Sequence, residues 1–260
     1  MFWTILMAAA VPPGAGAMDS PIVMLEAEGN GVHCVANREL CIALSDGDGG
    51  RAMRISSPAT GDAEGALVAL PSGLGTDRDL TLWPNLVFVS SKDEPGQGSS
   101  LEYLVGVVAT ESAGYSGGGG SGSRLHLLRF VMAPHAMAFG GEVLDVDWKG
   151  DLAIRACFTE VEAQDRLGAC HDEYEYVATL TPAVGDGGEL PSLTYRSVAT
   201  AFPQMSRRWE DNSGQKLKKS DLTHWRDPEC SYQRVLRYNP ATARYEMDRP
   251  GPDCSTYTNP

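Results

Sequence analysis

Apolar and polar positions along this chain alternate over short runs far more often than they repeat at helical spacing. Strand-like runs fall at 31–36, 39–44, 52–56, 66–70, 80–83, 86–90, 101–110, 124–131, 142–148, 152–159, 173–180, 193–199, 232–238 and 244–247. Several are rich in Val, Leu, Phe and Tyr, the side chains that fit a pleated, half-buried surface. Turn chemistry separates them: D-G-D-G-G at 46–50, P-G at 95–96, and glycine clusters at 117–120, 140–141 and 185–188. Helical periodicity is scarce, and the best helix candidates, 204–211 and 220–225, are short. The pattern predicts a mainly β fold, with antiparallel sheets arranged as a sandwich or a degenerate β-propeller and a short loop-rich C-terminal region. The propeller option rests only on a strand–turn–strand rhythm, because no residue signature recurs at fixed spacing.

The run S-G-G-G-G-S-G-S at 116–123 is the longest low-complexity stretch and is expected to be a long hairpin loop. A softer break falls at 185–188. Beyond it the chain is less strand-like and more basic, with Arg207, Arg208, Lys216, Lys218 and Lys219. The expected organisation is a leader over 1–17, a β-rich domain over 18–188, and residues 189–260 as a C-terminal subdomain or an extension of the same domain.

The leader is read from the apolar run FWTILMAAAV at 2–11, the break Pro12-Pro13-Gly14, and the small-x-small triplet Ala15-Gly16-Ala17. That is the pattern of a signal peptide, although no Lys or Arg precedes the apolar run. Ten apolar residues are too few to cross a bilayer as a helix, and no later stretch is longer. The expectation is an exported protein, periplasmic or extracellular, with no membrane span. Six cysteines agree with an oxidising compartment: Cys34, Cys41, Cys157, Cys170, Cys230 and Cys254. Their connectivity is open from sequence alone, but they fall into three sequence-local pairs, and 34–41, 157–170 and 230–254 is the expected pairing. The absence of any C-x-x-C pair argues against zinc.

Charge narrows the partners. With 34 acidic and 21 basic side chains the formal net charge is −13. A field of that sign repels phosphate backbones and anionic membrane surfaces, so nucleic acid is excluded as a natural partner. The same charge would suit cationic partners or hard cations, and solubility alone also explains it.

Four sets of residues carry candidate chemistry. G-Y-S-G-G at 114–118 matches G-x-S-x-G and makes Ser116 a candidate nucleophile, but that elbow needs a strand turning into a helix, and here glycines and a strand follow. The same residues resemble the G-D-S-G-G turn of chymotrypsin-like proteases, with Tyr115 in the place of the acidic residue. His33-Cys34 resembles that family's His-Cys pair, and Asp77 or Asp79 lies between in chain order. The resemblance implies a serine hydrolase with Ser116 as nucleophile, yet the interval from His33 to Ser116 is short for two barrels. In C-H-D-E-Y-E-Y at 170–176, strand alternation puts His171, Glu173 and Glu175 on one face and Cys170, Asp172, Tyr174 and Tyr176 on the other. The first face carries the groups of an acid–base or metal site, while a solvated outer face beside a disulfide explains it equally. Asp46 and Asp48, alternating with glycines, offer oxygens to a calcium ion, although the rest of an EF-hand loop is missing and a metal-free turn fits as well. Trp209, Trp225, Tyr232 and Tyr257 are either a sugar or peptide groove or the core of a small stapled tail. The five histidines are scattered, and neither H-E-x-x-H nor a Walker loop is present. His126, within an apolar strand, is expected to face the surface or to be satisfied internally.

The reading that absorbs most of these features is a non-enzymatic exported binding module for a protein or carbohydrate ligand. The competing readings are a secreted hydrolase using Ser116 or the His171/Glu173 face, and a calcium-stabilised structural domain.

Overall fold

A computed structural model describes residues 20–260 apart from 48–49, 59–61, 75–77, 90–92, 95–97, 100, 134–135 and 184–188. The leader at 1–17 lies outside the described residues, as do Asp48 and Asp77. The strands, in chain order, are β1 (Ile22–Met24), β2 (Glu26–Gly29), β3 (Val32–Cys34), β4 (Cys41–Gly47), β5 (Gly50–Ser57), β6 (Asp62–Ala69), β7 (Asp79–Val89), β8 (Asp93–Glu94), β9 (Gly98–Ser99), β10 (Leu101–Tyr115), β11 (Gly118–Ala133) and β12 (Ala136–Arg155). Helix α1 (Glu160–Asp165) follows, then β13 (His171–Pro182), β14 (Leu193–Phe202), β15 (Trp225–Arg226), β16 (Gln233–Asn239), β17 (Arg244–Met247) and α2 (Ser255–Thr258).

All strand pairs are antiparallel. One sheet has the order β1-β7-β10-β11-β12-β13-β14-β16-β17, with β15 on the side of β14, and a five-stranded sheet runs β2 to β6 in sequence. Strands beyond residue 188 therefore hydrogen-bond into the same sheet as β13. Neither sheet closes into a barrel, and the arrangement is sandwich-like. The middle of the large sheet is apolar on both faces. Val105, Val107, Leu128 and Phe130 pack with Ile42, Met53 and Ile55 of the smaller sheet, whereas Leu104, Leu125 and Leu127 join a second core with Tyr174, Tyr176, Leu193 and Tyr195. Strands buried on both sides cannot alternate cleanly, which is why 101–110 and 124–131 read as near-continuous apolar runs.

The large sheet folds back over its own inner face. Arg129 of β11 donates to the Tyr238 hydroxyl of β16 (2.7 Å) and pairs with Glu189 (2.7 Å), while Arg244 of β17 pairs with Glu142 of β12 (2.8 Å). At the centre of this fold the Tyr195 hydroxyl donates to the Asp147 carbonyl (2.6 Å) and lies 2.7 Å from the Tyr176 hydroxyl.

Three disulfides join Cys34 to Cys41, Cys157 to Cys170, and Cys230 to Cys254. Among the described residues no helix is long and apolar enough to cross a membrane.

Local expectations needed correction in three places. The glycine run is not a loop: β10 and β11 pair continuously to a turn at 116–117, and Gly118 to Gly120 are β11 residues between β10 and β12. Ladder hydrogen bonds on both sides offset the entropy that glycine loses there. Neither expected α-helix forms. Residues 204–211 make turns, and only Lys219–Asp221 coils, as a single 3-10 turn. A helix forms instead at α1, which carries a capping box: Glu162 N donates to Thr159 Oγ1 (3.2 Å) and Thr159 N donates to Glu162 Oε2 (2.9 Å).

Candidate binding cleft

Strand β13 alternates exposed and buried side chains along its length. That alternation sends Asp172 and Tyr174 inward, where the chain after β14 and the segment between the second disulfide's cysteines both meet them. Asp172 is 2 % exposed and its carboxylate is fully engaged. Oδ1 accepts from Arg166 Nη2 (2.5 Å) and Ser206 Oγ (2.7 Å), and Oδ2 accepts from Asn212 Nδ2 (2.8 Å). Arg166 is fully buried and donates in addition to the carbonyls of Ala169 (2.9 Å) and Asn212 (2.6 Å). A carboxylate and a guanidinium taken out of water need this many partners, because each unpaired donor or acceptor would cost its full desolvation. The knot fixes two excursions onto the edge of one strand: 157–170, which holds α1, and 203–213.

Above the knot lies a cleft of about 290 Å³, walled by Tyr174, Arg207, Arg208, Trp209, Trp225 and Tyr257, with Ser206, Glu210 and Asp227 also lining it. Trp209 is 71 % exposed and Trp225 37 %. The Arg208 guanidinium stacks 4.9 Å from the Trp209 ring centre and that of Arg207 5.6 Å from the Trp225 ring. Below them, the Tyr174 ring meets Tyr257 edge-on at 6.2 Å, and the Tyr257 hydroxyl donates to Asp227 Oδ2 (2.9 Å). Burial pushes the phenols of Tyr174 and Tyr257 above their ordinary range, so both remain protonated donors.

Two groups in this wall lack partners. The Tyr174 hydroxyl is buried and makes no hydrogen bond. Its neighbour Asn212 is engaged elsewhere: the amide nitrogen donates to Asp172 and to the Arg207 carbonyl (2.9 Å), and the amide oxygen accepts from Gln215 Nε2 (2.7 Å) and Arg207 N (3.3 Å). Arg208 uses only Nη2, toward the Asn259 carbonyl (2.8 Å), and its Nε and Nη1 have no acceptor. Buried polar groups are ordinarily satisfied, and orphan donors beside a cavity are where water or a ligand can supply the acceptors.

A second cavity of about 350 Å³ adjoins the first and shares Arg208 and Glu210 with it. Arg155, Phe158, Asp211 and Asn212 are among its walls. Phe158 is 60 % exposed, with the Arg155 guanidinium 5.2 Å from its ring centre.

The residues singled out from sequence are dispersed. Ser116 sits exposed at the β10–β11 turn, in a strand–turn–strand context rather than an elbow. His33 lies on β3 of the smaller sheet and Asp79 at the start of β7, and no hydrogen bond connects either to Ser116. His171, Glu173 and Glu175 share the exposed face of β13. Asp46 faces Arg51 across the β4–β5 pair, with Nε and Oδ1 3.5 Å apart. Of the four aromatics, Trp209 and Trp225 reach the surface, whereas Tyr257 is buried in the core and Tyr232 stacks 5.8 Å from Tyr195.

Among the described residues the His and carboxylate groups close enough to share an ion are His126, Glu142 and Asp145, within 4.8 Å of one another. His126 is buried, not surface-facing. Its Nδ1 lies 3.2 Å from Glu142 Oε2, and its Nε2 has no partner. Both carboxylates are already engaged, Glu142 by Arg244 and Asp145 by Arg124 (2.6 Å), and Arg124 also bonds Asp147. The hydrogen bond from His126, together with Arg244, holds the Glu142 carboxyl below its ordinary range. With one guanidinium on each carboxylate, this is an ion-pair network in which a metal would have to compete with bound cations.

Comparison with protein-family models, with curated proteins and with solved structures finds no match for this chain.

Proposed function

We propose that this protein is an exported, non-enzymatic binding module whose ligand site is the cleft between Trp209 and Trp225. The observation that carries this reading is the pair of orphan donors, Tyr174 Oη and the Arg208 guanidinium, set in the wall of a cavity rimmed by two exposed tryptophans. Export is supported by the leader-like residues 1–17 and by three disulfides, which persist in oxidising compartments. The sheet and the Asp172 knot fix Tyr174 and anchor the 203–213 segment before a ligand arrives, so that only side chains such as Arg208 and Trp209 need reorient on binding.

The test is a screen of the oxidised protein against arrays of glycans and peptides, run in parallel with the double variant W209A/W225A. The expectation is at least one saturable ligand whose affinity falls tenfold or more in the double variant, as truncating aromatic anchors does. Ligands bound equally by both proteins, or none bound by either, would refute the assignment of this cleft.

A further inference from the structure

We infer that the cleft takes an acidic saccharide, a sugar chain bearing ring carboxylates; this rests on the binding reading above and names its ligand class. Three features converge on that chemistry.

The first is charge. Arg124, Arg129, Arg166 and Arg244 each meet a carboxylate. Arg155, Arg207 and Arg208, at the two cavities, donate to backbone carbonyls instead, in a chain with 34 acidic side chains against 21 basic ones. Three guanidiniums left without counter-ions on one face of an acidic protein are complementary to an anion. The forked N–H groups of Arg208, with Nε and Nη1 unused, match a planar carboxylate. Those N–H groups are closed to solvent in the free protein, so the guanidinium turns into the cavity as the anion enters, and the exposed Trp209 ring stacked on it moves as well.

The second is the aromatic surface. An indole face is electron-rich and meets the C–H edges of a sugar ring favourably. Trp209 and Trp225 each present such a face, and Phe158 a phenyl face, beside one of the three arginines.

The third is the mixture of acceptors with donors. Glu210 borders both cavities and Asp211 borders one. Their carboxylates repel a densely charged polyanion but accept from hydroxyl groups, as the Tyr174 phenol donates to a ring or hydroxyl oxygen. Sparse carboxylates among many hydroxyls satisfy both requirements and add ring faces for the exposed aromatics, which the side chains of an acidic peptide do not offer. The two adjoining cavities sharing Arg208 suit a chain of rings rather than a single one.

The experiment is a tryptophan-fluorescence titration of the full oxidised protein with a galacturonic acid oligomer, the neutral galactose oligomer of equal length, and a polyglutamate peptide. The acidic oligosaccharide is expected to give a saturable change, with the other two at least tenfold weaker. Its affinity should fall at least tenfold in R208Q and less in R208K. Should R208Q fail to fold, W209A carries the same test, because that ring is 71 % exposed. Equal binding of the neutral oligomer would overturn the role of charge and leave the binding reading intact. Binding of the peptide alone would overturn the saccharide assignment and also leave the binding reading intact. Silence from all three ligands would overturn the inference, and the array comparison would then decide the binding reading separately.

Discussion

Single residues carry most of the specificity of this structure, and Asp172 is the clearest case. Strand alternation put it on one face with Tyr174 and Tyr176, but its burial as a carboxylate in need of partners is visible only in the fold. Its partners were not legible either. Arg166, Ser206 and Asn212 lie 6, 34 and 40 residues away, and nothing local marks them. Removing the carboxylate leaves Arg166 buried and uncompensated. D172A is therefore expected to lose about 3–5 kcal/mol of unfolding free energy, the usual cost of breaking a buried pair from one side. Chemical denaturation measures this directly, and a loss below about 1 kcal/mol would mean that the knot is not the anchor of the 203–213 segment.

At the scale of elements, strands with one buried face were readable and close-approach glycines were not. The alternation from His171 to Pro182 matches the exposure pattern of β13. The run at 116–123 looked flexible because glycine carries no hydrophobic signal, yet beyond the turn at 116–117 its residues 118–123 pair with strands on both sides. Its purpose shows in the packing of α2. Gly122 and Gly150 are cross-strand partners, and a Cβ on either would overlap a carbonyl oxygen of Thr258 or Tyr257. The bare pair is the slot in which the C-terminal backbone lies, with the Tyr257 ring held against Tyr174 at the cleft floor. G150A is expected to lift this segment, giving faster hydrogen exchange over 255–260 and a stability loss of about 1–3 kcal/mol. G214A, where an added Cβ meets nothing within 4 Å, is the control. Unchanged exchange in G150A would contradict the slot. The helix α1 escaped the periodicity argument because it is only 6 residues long, but its T-x-x-E start at Thr159 and Glu162 was a readable signal.

At the scale of the molecule, hydrophobic patterning was enough to specify class, and the disulfide pairs followed from sequence proximity. Two properties depended on the three-dimensional arrangement. One is the fold-back of the large sheet, made by contacts such as Arg129 to Tyr238 that span 109 residues. The other is the cleft, which draws Tyr174 from β13, Arg207 to Glu210 from a turn region expected to be helical, Trp225 from β15 and Tyr257 from α2. Sequence could name the tryptophans as groove or core, but only the fold separates Trp209 and Trp225 at the surface from Trp83 and Trp148, which pack edge to face at 6.1 Å with Trp83 in the core. That separation supplies internal probes for the central claim, that ligand binds between Trp209 and Trp225. The most direct measurement is a ¹H–¹⁵N spectrum of the tryptophan indoles during titration with the galacturonic acid oligomer. The account predicts progressive, saturable shifts of the Trp209 and Trp225 indole signals while those of Trp83 and Trp148 stay in place. Binding that moves neither Trp209 nor Trp225, or no binding at all, would contradict it.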